Sequence, residues 1–150
     1  MSEDERNSIE EWNNVFHILM RAVVHDMQNR LQSILDGHSL SKVHIAYLIA
    51  LDAGNTTLKS LSDHLGMDKA NTTRAINGLR KEGIVEDDRQ AENSRKYNVF
   101  LTEKGKGLVK ELKTELSRAY DQYMKDISPE EMRHTLEILD RIRKNVESSK

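Results

Sequence analysis

A run of apolar residues at helical spacing constrains this chain more than any other feature. Ile9, Trp12, Phe16, Leu19, Val23, Met27, Leu31 and Ile34/Leu35 follow one another in steps of three and four. That spacing places them on one continuous stripe of a single helix. At 1.5 Å of rise per residue, a helix over 9–35 is roughly 40 Å long. One small domain does not cover so long a stripe, so part of it is expected to meet a second subunit. The alternative is a helix laid across its own core. Residues 1–8 are polar and are expected to fray.

Bulk properties agree with a helical protein. The chain has 150 residues, a single Pro, 5% aromatic and 32% charged residues. Few breakers and many charges suit helices with exposed faces and not a sandwich or barrel. There is no Cys, which excludes disulfide staples, thiol redox chemistry and Cys-ligated zinc. The first 20 residues mix charge with scattered apolar positions, so no secretory signal is expected. The longest apolar run, Ile45 to Leu51, is too short to span a bilayer. The expectation is a soluble, cytoplasmic protein without a membrane partner.

Downstream of the stripe, the punctuation is dense. Asp36-Gly37-His38-Ser39 breaks the helical pattern. Ser41 is a good N-cap for a second helix from Lys42 to about Ala53, closed by Gly54-Asn55 and apolar almost all round. Thr56-Thr57 suits a very short strand, and Thr57 caps a third helix, Leu58 to Leu65. Gly66-Met67 forms a turn, and Asp68 caps a fourth helix that runs from Lys69 towards Gly83. Its thin apolar face is opposed by Lys, Asn, Thr and Arg. Ile84-Val85-Glu86 and Tyr97 to Leu101 read as two strands around a polar loop. A helix, a Gly-containing turn, a polar-faced helix and then a hairpin form a winged helix-turn-helix. Thr102 to Gly105 opens another long helix whose apolar side continues to Met124/Ile127, and Ser128-Pro129-Glu130-Glu131 restarts the last one with a capping box.

Net charge is −2, yet residues 56–107 hold ten Lys/Arg against eight Asp/Glu, and the remainder thirteen against seventeen. The basic bias falls on the winged segment. It is too small for a general polyanion binder.

Leu61 to Arg74, Leu79-Arg80-Lys81-Glu82-Gly83-Ile84-Val85 and Leu101-Thr102-Glu103-Lys104-Gly105 together resemble a MarR-type (multiple antibiotic resistance regulator) repressor. The resemblance follows helix order along the whole chain and is most specific over 57–105. It implies a mainly α fold with a small β-hairpin wing. Residues 40–103 would form the winged DNA-binding region, and helices about 9–36 and 104–148 would form a homodimer interface. It also implies a transcription regulator, usually a repressor, that reads a pseudo-palindrome in double-stranded DNA and answers to a small aromatic or lipophilic effector. Three positions depart from the pattern. Ala70-Asn71 stands where Ser-Thr is usual, Thr72 where an aliphatic residue packs, and Asp87-Asp88 where Arg is common.

The candidate DNA contacts follow from chemistry. Lys69, Ala70, Asn71, Thr73 and Arg74 occupy the exposed face of the fourth helix. Arg pairs with guanine bidentately, Asn with adenine, and Thr meets a phosphate or a thymine methyl. Thr57, Lys59 and Ser60, at the start of the third helix, are placed to hold phosphate. Arg95, with Arg89 and Lys96 beside it, is the wing candidate for a narrow minor groove. From Glu86 to Lys96 the wing carries three basic and four acidic residues. Asp87 or Asp88 would then either hold a wing arginine in a salt bridge or fix its geometry. An acidic wing also supports a second reading, a dimeric winged helix that docks another protein instead of DNA. His17, Met20, His44 and Tyr47 are the candidate lining of the effector pocket. The six histidines show no i,i+4 pair, so no metal site or cofactor is expected. No nucleophile motif or phosphate loop is visible, so an enzyme is not expected.

Overall fold

The computed structural model describes residues 1–149. It contains α1 (Glu3–Asp36), α2 (Lys42–Asp52), α3 (Leu58–Leu65), α4 (Lys69–Lys81), β1 (Val85–Asp87), β2 (Val99–Leu101), α5 (Glu103–Tyr123) and α6 (Pro129–Ser148). Two compact units divide the chain, Met1–Glu115 and the segment from Leu116 onward. None of the described helices is long and apolar enough to cross a membrane.

The capping residues act where the sequence puts them. Thr57, Asp68 and Ser128 cap α3, α4 and α6, and Gly66 closes α3 at φ 63°. Gly83 takes φ 70° just beyond α4, the left-handed conformation that glycine adopts without steric cost. The expectation of a frayed start is overturned. Ser2 and Glu5 form a reciprocal capping box, with Glu5 N–H on Ser2 Oγ at 3.2 Å and Ser2 N–H on Glu5 Oε2 at 2.7 Å. α1 therefore begins at Glu3.

In the first unit the core lies under the winged segment. Tyr47, Leu48, Leu61, Ile76, Leu79, Ile84, Val99 and Leu112 have no solvent exposure. α2 supplies Tyr47, Leu48, Ala50 and Leu51 to it, while Val43 at its start stays exposed. α1 contributes Leu31, Ile34 and Leu35 only. Of the rest of its stripe, Val23 and Met27 are half-buried, and Ile9, Trp12, Phe16 and Leu19 are exposed in the single chain. Trp12 and Phe16 stack on each other there with centroids 4.9 Å apart.

The first wing strand is shifted by one residue from Ile84-Val85-Glu86, and the second is shorter than the expected Tyr97 to Leu101. β1 and β2 pair antiparallel with Val85 opposite Leu101, Glu86 opposite Phe100 and Asp87 opposite Val99. Ile84 falls outside β1 because its N–H closes α4 on Leu79 O at 3.0 Å. Asn98 is diverted because its N–H goes to Asp88 Oδ1 at 2.6 Å. It forms an isolated bridge with Thr57 instead, so the brief strand expected at Thr56-Thr57 exists as one pairing. Val99 N–H donates to Thr56 O at 2.7 Å beside it.

The start of α5 is locked to the wing base. Thr102 Oγ1 donates to Gly83 O at 2.7 Å, and Gly105 N–H donates to Thr102 Oγ1 at 3.1 Å. A Cβ on Gly105 would sit 2.1 Å from Ile84 O, so only glycine fits this approach. In the second unit α5 stops at Tyr123, earlier than its apolar side suggests. Asp126 at φ 63° turns the chain, and Ile127 N–H bonds to Met124 O at 3.0 Å. α6 then runs for 20 residues and buries none of those described.

Candidate nucleic-acid interface

α4 separates its faces by periodicity. Thr72, Ala75, Ile76 and Leu79 are buried, which leaves Lys69, Ala70, Asn71 and Arg74 outward and Thr73 half-buried. The outward groups are tied together before any ligand arrives. Asp68 Oδ1 accepts the Asn71 N–H at 2.7 Å, and its Oδ2 accepts Asn71 Nδ2 at 2.5 Å. Asn71 Oδ1 in turn accepts from the Arg74 guanidinium. Thr73 Oγ1 spends its proton on Lys69 O at 2.8 Å and keeps its lone pairs outward. Such a surface presents hydrogen-bonding groups in defined positions, which reduces the ordering cost of meeting a base edge.

At the start of α3, Thr57 and Ser60 cap each other, with Thr57 N–H on Ser60 Oγ at 3.1 Å and Ser60 N–H on Thr57 Oγ1 at 3.0 Å. Their hydroxyls thus hold the helix end. Lys59 pairs with Asp63 at 2.6 Å, and both side chains are largely in water. A pair so exposed contributes little to stability, so Lys59 is free to exchange Asp63 for another anion.

The wing separates its two arginines. Arg89 does not reach outward. Its Nε and Nη2 grip Asp87 at 2.9 and 2.6 Å, and its guanidinium lies 4.1 Å above the Tyr97 ring. Only 12% of its side chain is exposed. Burial, a charged partner and a ring thus engage Arg89, the expected backup for the DNA contact, and set it apart from Arg95 and Lys96. Arg80, at the end of α4, donates to the same Asp87 at 3.2 Å. The Arg89 hydrogen bond, assisted by Arg80, holds the Asp87 carboxyl below the usual carboxylate range. Asp88 is also held low, first by the Asn98 side chain and then by its N–H. The acids at the wing base therefore join the wing to α4 and to β2. Arg95 and Lys96 remain exposed.

Tertiary structure gathers cations that are distant in sequence. Lys59, Lys69, Arg95 and Lys96 line one concavity of about 1080 Å³ between the start of α3, the start of α4 and the wing. Leu58, Met67 and Tyr97 form apolar parts of its wall, and Asp63 and Asp88 are its acids. A smaller recess of about 390 Å³ adds Thr73 and Asn77 of α4 opposite Asn93 and Ser94 of the wing. Asn77 was not among the candidates, although it follows Arg74 by three and Thr73 by four on the same helix face. Arg80 and Tyr97 were missed as well. No local spacing reports a partner that lies across the hairpin.

The four candidate effector residues have unrelated settings. Tyr47 is fully buried and its hydroxyl meets Thr72 Oγ1 at 3.2 Å. His44 Nδ1 accepts the Ser41 N–H at 3.1 Å and caps α2, while its Nε2 lies 3.2 Å from where a Cβ on Gly78 would be. His17 and Met20 are on the exposed part of α1.

Residues 40–97 match the model of the MarR family. The chain is 29% identical over 94 residues to the HTH-type transcriptional regulator BilQ of Clostridioides difficile (strain CD3). That match covers 62% of this chain and 64% of the relative, just under two thirds of either. A MarR transcriptional regulator from Methanosarcina mazei Go1 superposes with TM-score 0.72 at 26% identity, over 91% of this chain and 92% of that one. Staphylococcus aureus MarR, in a structure with salicylate and kanamycin, is similar in fold with TM-score 0.78 at 16% identity, over 95% and 97% of the two chains.

Proposed function

We propose that this chain, whose residues 40–97 match the MarR family and whose fold is that of MarR structures, is a homodimeric, sequence-specific DNA-binding regulator that represses transcription. The observation that carries this reading is the shared concavity of Lys59, Lys69, Arg95 and Lys96 beside the outward face of α4. Cations around the groove meet phosphates and set register, while Asn71 and Arg74 meet base edges. α4 enters the major groove, and Arg95 at the wing reaches the minor groove. The exposed α1 stripe supports the dimer, because a second copy would remove Trp12, Phe16 and Leu19 from water. Two copies of α4 about 34 Å apart would then read a pseudo-palindrome. Repression follows from occupying a promoter.

An effector of aromatic or lipophilic character completes the proposal. Salicylate accompanies the Staphylococcus aureus neighbour. A ligand that prefers a different separation of the two α4 helices would release DNA by shifting the population. The docking of another protein on an acidic wing loses its motive, because Arg80, Arg89 and Asn98 already engage Asp87 and Asp88.

The test is selection of duplexes from a random pool, followed by titration of the winner against scrambled duplex at physiological salt. A preference on the order of 10³ or more is expected of a specific regulator. Equal affinity for both duplexes would sink the reading. Light scattering of the free protein should give twice the chain mass.

A further inference from the structure

Thr72 is the one buried polar residue in the core of the described chain, with no exposure. Its hydroxyl is saturated. It donates to Asp68 O at 3.0 Å and accepts from Ser62 Oγ at 3.0 Å. Its one proton is thereby used, so the Tyr47 hydroxyl 3.2 Å away donates to the remaining lone pair. One oxygen therefore joins α2 through Tyr47, α3 through Ser62 and the first turn of α4. An aliphatic side chain of the same volume would fill the space equally well. Apolar burial has no direction, however, and leaves a helix free to roll or slide by small amounts. A saturated buried network has direction and selects one arrangement.

We propose that this hydroxyl knot is a positioning device that sets the rotation and depth of α4 against α2 and α3. Thr72 lies next to Asn71 and two residues before Arg74, so its anchoring fixes where those side chains meet the bases. Tyr47 and Thr72 are then positioning residues for base recognition and touch no DNA themselves. The inference rests on the DNA-binding reading above.

The experiment compares the full-length parent with Tyr47→Phe, Thr72→Ser and the double variant Tyr47→Phe/Thr72→Val. The double variant removes the knot without leaving the tyrosine hydroxyl unpaired, so its melting temperature should stay near the parent's. Its preference for the duplex selected by the parent, over scrambled duplex, should fall about tenfold or more. Thr72→Ser keeps the hydroxyl and loses a methyl; it should melt earlier yet keep the preference. Tyr47→Phe alone removes one donor, and its preference should fall between those of the parent and the double variant. Amide hydrogen exchange over residues 69–74, measured without DNA, should quicken in the double variant and in Tyr47→Phe. Parental preference in both of these variants overturns the proposal, as does equal loss in Thr72→Ser, which would assign the effect to packing. If the parent itself shows no duplex preference, the DNA-binding reading falls. The exchange rates then decide the knot alone, and unchanged rates refute it.

Discussion

α4 and α1 are built from the same kind of pattern and finish differently. α4 has 13 residues and buries Thr72, Ala75, Ile76 and Leu79 within its own chain. α1 has 34 and buries three, all between Leu31 and Leu35. The winged head, from α2 to β2, is complete in one copy: its helix starts are capped, its apolar faces are covered and the buried Thr72 hydroxyl is saturated. The long helix is not complete, since Ile9, Trp12, Phe16 and Leu19 keep their spacing but face water. In α6, Leu136, Leu139 and Val146 are exposed in the same way. These apolar residues, exposed in the single chain at helical spacing, are the surface that we propose a second copy covers. The head can thus be perturbed through stability, and the long helix through association.

The hardest way to break the complete region is Gly105→Ala. Its methyl would lie 2.1 Å from a backbone carbonyl, and the wing base would have to move. The expected loss is about 4 kcal/mol or more in a urea titration; a loss under about 1 kcal/mol would mean that the contact between α5 and the wing base is looser than described. Phe16→Asp attacks the other region. Association should weaken by about 100-fold or more while far-ultraviolet circular dichroism stays that of the parent. Unchanged dimer mass at low protein concentration would remove α1 from the interface.

Two arginines then sharpen the contrast within the head. Arg74→Ala should weaken binding to the selected duplex by roughly 1–3 kcal/mol and leave unfolding unchanged. Arg89→Ala should do the reverse, with a loss of about 2 kcal/mol of stability from the uncovered Asp87 and an unaltered salt slope of DNA binding. A steep change in that slope would return Arg89 to the list of DNA contacts.

The smallest effect concerns Asp87. Its folded carboxyl is depressed, chiefly by the Arg89 hydrogen bond. The unfolded chain thus takes up the proton first as pH falls. The contribution is present above the ordinary carboxylate range and is lost as pH drops through the depressed folded value. Stability measured from pH 5 down to pH 2 should fall less in Asp87→Asn than in the parent. Parallel curves would assign the acid sensitivity to other groups.

Much of this was readable in advance because it is local. Thr57, Asp68 and Ser128 cap their helices through groups three residues away, and such spacing is visible in any sequence. The polar face of α4 is equally local. The length of the second wing strand was not, since Asn98 chooses Asp88 and Thr57 over a longer ladder. The sequence ranked Arg95 ahead of Arg89 at the wing, but it did not show that Arg89 is held by Asp87, at the end of β1, and by Tyr97, across the hairpin.

By itself, then, the amino-acid sequence determined the helices, the caps of α3, α4 and α6, the winged order and the long apolar stripe, since each depends on neighbours within about one helical turn. Only the tertiary structure decided that Asp87 clamps Arg80 and Arg89, that Thr72 joins three helices, and that Lys59, Lys69, Arg95 and Lys96 face one concavity. Those relations link residues separated by turns and whole helices. Their distances are set by how the core packs, and no spacing along the chain records them.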